Sequence, residues 1–147
     1  MFTKILIPVD GSKHSVKALA CGSMLAKKFR SKIVLVHVYQ IPLTVTPAIS
    51  STIVMPIVMD AARKAGERIL KKSVVQIQKT KTNRELAVTA HLKEGDTVKE
   101  IINAAKQEKA NLIVMGARGV SKLEAVFLGS VSDGVIRKAH CPVIVTR

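Results

Sequence analysis

Aromatic residues are scarce in this chain of 147 residues: no tryptophan, one tyrosine and three phenylalanines, 3% in all. Its core therefore has to be built from Val, Ile, Leu and Ala, which suits helices packed on a parallel sheet. Only two cysteines occur, Cys21 and Cys141, far apart in sequence. Neither a disulfide framework nor a cysteine metal site is expected from them, and both read as buried free thiols. The four histidines, His14, His37, His91 and His140, have no metal-ligand spacing and read as satisfied structural residues. A metal site is neither indicated nor assigned.

Acidic residues are also few. Ten Asp and Glu stand against 24 Lys and Arg, a net charge of +14, which attracts polyanions without conferring specificity. Eight of the bases lie between Arg63 and Arg84, with Glu67 the one acid in that interval. This is either a solvated helix face or, less favoured because no aromatic is interleaved for base stacking, a nucleic-acid surface.

From Ile33 to Met59 no charged residue occurs at all. The length alone raises a membrane span, but Pro42, Pro47 and Pro56 with several Ser and Thr argue against one. The stretch reads as a buried strand followed by an apolar loop that either covers a ligand or a partner chain, or is a disordered connection. Met1 to Val9 is strand-like, carries Lys4 and has no long apolar run, so no signal peptide is expected and a cytoplasmic location is. The length fits a single domain over 1–147.

Apolar periodicity then gives an alternating order. Strands are expected at Ile5 to Val9, Ile33 to Tyr39, Leu86 to Leu92, Leu112 to Met115 and Pro142 to Thr146. Helices are expected from an N-cap at Ser12 to about Phe29, from about Ile57 to Lys81, from a capping box of Thr97 and Glu100 onward, and from Ser130 to about Lys138. Such alternation demands right-handed crossovers and a parallel sheet with helices on both faces, and it places ligands at the carboxyl ends of the strands where strand order reverses.

One glycine pattern falls at that edge. Gly116 ends the fourth strand, Gly119 follows three residues later, and after nine more come Gly129 and Ser130 at a helix start. A helix N-terminus favours an anion, glycines let backbone approach phosphate oxygens, and Ser130 and Ser132 offer hydroxyl donors. Arg118 either balances phosphate charge or points to solvent. Asp10, at the end of the first strand, either accepts from a ribose hydroxyl or caps the next helix, and the glycine loop favours the first. Neither GxxxxGK[ST] nor GxGxxG is present, so the two common nucleotide loops are excluded.

The PVDGS run, the five-strand alternation, the G-x2-G-x9-G-S element and the ending CPVIVTR together resemble the universal stress protein family over essentially the whole chain. The resemblance implies an α/β fold, a Rossmann-like three-layer sandwich whose five-stranded parallel sheet has the order 3-2-1-4-5, with ATP across the edge between the first and fourth strands. It implies that Pro8, Val9 and Asp10 contact adenine and ribose, that Val38 meets adenine through its backbone, and that Met115, Gly116, Arg118, Gly119, Gly129, Ser130, Val131 and Ser132 surround ribose and phosphates. It further implies a homodimer through the last strand, Val143 to Thr146. The function expected is that of a nucleotide-dependent stress-response or signalling protein with at most slow ATP hydrolysis, with Mg²⁺ a candidate companion of the nucleotide. The alternative is a basic polyanion- or nucleic-acid-binding module without nucleotide dependence.

Overall fold

The structure, a computed structural model, describes residues 1–40, 54–79, 85–119 and 128–147. The apolar loop expected after the second strand and the predicted helix end at Lys81 lie outside the described residues, as do residues 120–127 of the glycine element.

The chain alternates strand and helix throughout: β1 (Lys4–Pro8), α1 (Lys13–Phe29), β2 (Lys32–Tyr39), α2 (Val54–Gln78), β3 (Val88–Glu94), α3 (Thr97–Gln107), β4 (Leu112–Gly116), α4 (Ser130–Lys138) and β5 (Val143–Thr146). The five strands form one parallel sheet in the order β3-β2-β1-β4-β5, as expected. Alternate residues of the central strands face opposite layers, since side chains alternate along a strand. Ile5, Ile7, Ile33, Leu35 and Val114 pack beneath α1 and α2, whereas Leu6, Val34, Val36, Ile113 and Met115 pack against α3 and α4. Ile5, Leu6 and Ile7 are wholly buried, so each contributes roughly 1.5–3 kcal/mol of burial.

Helix boundaries follow local chemistry. Ser12 caps α1, its hydroxyl accepting from the Ser15 N–H at 3.1 Å. α1 closes on Arg30 in the left-handed region, φ 54°. α2 begins three residues earlier than its apolar spacing predicts. Pro56 falls in its first turn, where a missing N–H costs nothing because that donor has no intrahelical partner. At α3 the expected capping box is corrected. Asp96 is the cap and accepts from the Lys99 N–H at 2.8 Å, Thr97 is already helical, and Glu100 accepts from the Asn103 amide instead. A carboxylate one residue upstream outcompetes the threonine, and it also lies favourably at the positive end of the helix.

The two thiols sit on opposite faces of the sheet, Cys21 against the α1–α2 layer and Cys141 against the α3–α4 layer, and both are free and half-buried. Burial pushes the Cys141 thiol upward from its ordinary pKa. No described helix is long and apolar enough to cross a membrane.

Candidate functional site

Strand order reverses between β1 and β4: from β1 the chain builds outward to β2 and β3, then crosses back to lay β4 on the other side. The crossovers leave in opposite directions, so a crevice opens beyond the carboxyl ends of these two strands. A cavity of about 1010 Å³ occupies it, at the upper end of the roughly 300–1,000 Å³ usual for small-molecule sites. All twelve residues singled out above line it: Pro8, Val9, Asp10, Val38, Met115, Gly116, Arg118, Gly119, Gly129, Ser130, Val131 and Ser132.

One end is apolar. Val9 donates its N–H to Val36 O at 2.9 Å, and since backbone groups repeat with period two, those of Val38 point to the same side, beyond the end of β1. Val38 thus presents a peptide N–H and C=O edge to the cavity where its neighbouring strand has stopped. His37 forms part of the same wall. Its Nδ1 lies 2.7 Å from Val9 O, and because a carbonyl only accepts, Nδ1 carries a proton.

The other end is built from Asp10 and the glycine element. Asp10 Oδ1 accepts from the Ser12 N–H at 2.9 Å, so one carboxylate oxygen braces the entry to α1 while Ser12 does the capping. The other oxygen faces the loop: a Cβ added at Gly119 would stand 2.6 Å from Asp10 Oδ2. Gly116 is required for a different reason. Its missing Cβ would stand 2.7 Å from the backbone carbon of His14, so this glycine also lets α1 pack directly on the end of β4.

At α4, Gly129 is the N-cap and offers no side-chain bond, in contrast to the caps of α1 and α3. Gly129 N–H is spent on Ala117 O at 2.7 Å, and Asp133 N–H bonds Gly129 O at 3.0 Å. The N–H groups of Ser130, Val131 and Ser132 take no partner among the described residues, and with the helix dipole they form an anion-receptive end. Ser132 corrects an expectation. It is 2% exposed, and its hydroxyl donates to Ala117 O (2.8 Å) or Gly129 O (2.9 Å). Its side chain therefore locks loop to helix, leaving its backbone N–H as the group offered to the cavity. Ser130 is exposed.

Several wall residues carry no sequence signal. Ile69 of α2, Gln40, Thr97 and Ile101 reach the cavity from elements distant in sequence; Gln40 donates to Thr97 Oγ1 at 3.1 Å, tying the end of β2 to the start of α3. The histidines are less uniform than expected. His37 is satisfied, His91 Nε2 lies 2.9 Å from Glu108 Oε1 but out of hydrogen-bond alignment, and His14 Nδ1 is buried without a partner among the described residues. Among the described residues, no group of three His, Cys, Asp or Glu is placed to hold a metal ion.

A doubly wound parallel sheet with a glycine-bounded cavity at its switch point defines a Rossmann-like α/β fold. Within that class the chain belongs to the universal stress protein family, whose model matches residues 1–147. A universal stress protein of Methanocaldococcus jannaschii is 33% identical over 148 residues, covering all of this chain and 83% of that protein. The universal stress protein UspA of Lactobacillus plantarum superimposes with a TM-score of 0.83 at 27% identity, over 99% of this chain and 98% of that one. The universal stress protein of Archaeoglobus fulgidus in complex with dAMP shares the fold at 21% identity and a TM-score of 0.66, over 100% and 98% of the two chains.

Proposed function

We propose that this chain binds ATP in the cavity between β1 and β4 and acts as a nucleotide-dependent stress-response or signalling protein. The observation that carries the reading is the polarity of the cavity. One end is apolar and offers the backbone edge of Val38, as an adenine requires, and the other offers three unclaimed N–H groups at the start of α4, as phosphates require. Asp10, beside the glycine element, has Oδ2 turned toward Gly119, suited to accept from a ribose hydroxyl. Arg118 lines the same cavity and suits the phosphate charge. The dAMP complex of a relative supports an adenine nucleotide as the ligand class.

Mg²⁺ arrives with the nucleotide in this reading. It needs one or two carboxylates beside phosphate oxygens and water, and Asp10 is the candidate. Hydrolysis is at most slow. The described carboxylates at the cavity are Asp10, braced on the Ser12 N–H, and Asp133, paired with Arg137 at 2.9 Å, and neither is poised as a general base. The free edge of β5 pairs two copies of the chain, because Val143, Ile144 and Val145 form an apolar edge strand whose backbone pairs with β4 alone among the described residues.

Acid extraction of freshly purified protein followed by chromatography tests the ligand: an adenine nucleotide near one per chain is expected. Extracts free of nucleotide, from protein that also fails to retain added Mg-ATP, overturn the reading. Sedimentation velocity tests the dimer, and a monomer at tens of micromolar would remove it.

A further inference from the structure

The charge of this protein is strongly sided. α1 contains no acidic residue. α2 contains two, Asp60 and Glu67, and both are engaged: Arg63 pairs with each of them, and Lys64 Nζ lies 2.7 Å from Asp60. That leaves Lys13, Lys17, Lys27 and Lys28 on α1, with Arg68, Lys71, Lys72 and Lys79 on or just after α2, without an ion-pair partner among the described residues. All eight are exposed. The opposite layer is mixed, with Asp96, Glu100, Glu108 and Asp133 set among its bases.

These cations share one surface. α1 and α2 cover the same face of the sheet and meet where Gly11 approaches Ile69. Residues at i, i+4, i+7 and i+11 share one side of a helix. On α1 the outward row runs Lys13, Lys17, Ala20, Met24 and Lys27; on α2 it runs Ile57, Ala61, Lys64, Arg68, Lys71, Val75 and Lys79, and every member of both is exposed.

Large aliphatic side chains stand in the open among the bases. Met24 is 65% exposed, Ile57 64%, Val75 49% and Val16 40%. None of the four packs against either core cluster of the described residues. Base stacking does not explain them either, since nucleic-acid surfaces use aromatic platforms. The one aromatic residue of the two helices, Phe29, is turned onto Phe2 at 5.5 Å. A cationic helical face with protruding aliphatic residues fits the boundary of an acidic bilayer, where headgroup phosphates meet the bases and acyl chains take the aliphatic tips.

We propose that the α1–α2 face docks on membrane surfaces bearing acidic phospholipid. None of the eight cations or four exposed aliphatic residues of this face lines the cavity, so the proposal stands or falls independently of nucleotide binding.

The test is co-sedimentation of the purified full chain with vesicles of phosphatidylcholine alone and of equal parts phosphatidylcholine and phosphatidylglycerol, at low and high salt. Binding is expected only to the acidic vesicles and should weaken with salt. Lys71→Ala with Lys72→Ala is expected to lower partitioning roughly 25-fold, about fivefold for each cation removed. Met24→Ser with Ile57→Ser should abolish the part of binding that survives high salt, and all four sites are exposed, so melting should be unchanged. Lys99→Ala with Lys106→Ala, on the opposite layer, should leave partitioning near wild type. Equal sedimentation with neutral and acidic vesicles overturns the proposal. So does equal loss from the two lysine pairs. Binding of duplex RNA that outcompetes the acidic vesicles and ignores the Met24 and Ile57 substitutions would assign the face to nucleic acid instead.

Discussion

Gly119→Ala places a methyl group where the structure has room for none. The added Cβ would lie 2.6 Å from Asp10 Oδ2, well inside van der Waals contact. The Asp10 side chain is short and its other oxygen holds the Ser12 N–H at 2.9 Å, so relief requires the carboxylate to rotate or the loop to retreat. Rotation gives up that hydrogen bond, about 1 kcal/mol of stability. It also turns Oδ2 away from the cavity, and losing one charge-assisted hydrogen bond to a ligand costs about 1.5–3 kcal/mol, at least about tenfold in affinity. Thermal melting with and without Mg-ATP reads both effects. At an ATP concentration about 100 times its dissociation constant, the wild type gains about 2.7 kcal/mol, or roughly 5–10 °C for a domain of this size. Tenfold weaker binding leaves about 1.4 kcal/mol at the same ATP concentration, so the shift should fall to about half or less. A Gly119→Ala variant that melts like the wild type in both conditions would refute the steric account.

Three further outcomes follow from the fold. Ile7→Ala removes a wholly buried β1 side chain that packs beneath α1, and denaturant unfolding should show a loss of about 2–5 kcal/mol. Arg30→Gly relieves a non-glycine residue at φ 54° closing α1, and the same measurement should show a gain of up to about 1 kcal/mol. Glu108 accepts from Lys4 Nζ at 2.9 Å, and this bond, more than nearby His91, holds its carboxyl below the ordinary range. Because its folded-state pKa is depressed, the contribution is present above the unfolded value near about 4.3 and fades as pH falls through the folded one. Glu108→Gln should therefore cost under about 1 kcal/mol near neutrality, with mutant and wild type converging in acid.

Most of the frame was legible because the signals are local. Leu112 to Met115 is an unbroken apolar run, and Val98, Ile101, Ile102 and Ala105 keep helical spacing, so β4 and α3 read directly. The α3 cap misled because Thr97 and Glu100 have capping-box spacing by coincidence, and only geometry separates that pair from Asp96. Start and end points drifted where an element's last hydrogen bonds depend on a neighbour: β3 begins at Val88, two residues after the expected Leu86, although Ala87 O still accepts from Ile33 N–H. In the cavity, the glycines and Asp10 were visible as a pattern, whereas the walls from Ile69, Gln40 and Thr97 are made by tertiary placement alone. The packing role of Gly116 was invisible for the same reason, since its close neighbour is His14, over a hundred residues earlier in the chain.

The central claim is that the cavity between β1 and β4 holds ATP. Calorimetric titration of Mg-ATP into nucleotide-free protein tests it most directly, with Asp10→Ala run beside it. The account predicts saturation at one site per chain with a dissociation constant below millimolar, and at least about tenfold weaker binding in the variant. No saturable heat at millimolar ATP, or identical titrations of the two proteins, would contradict it.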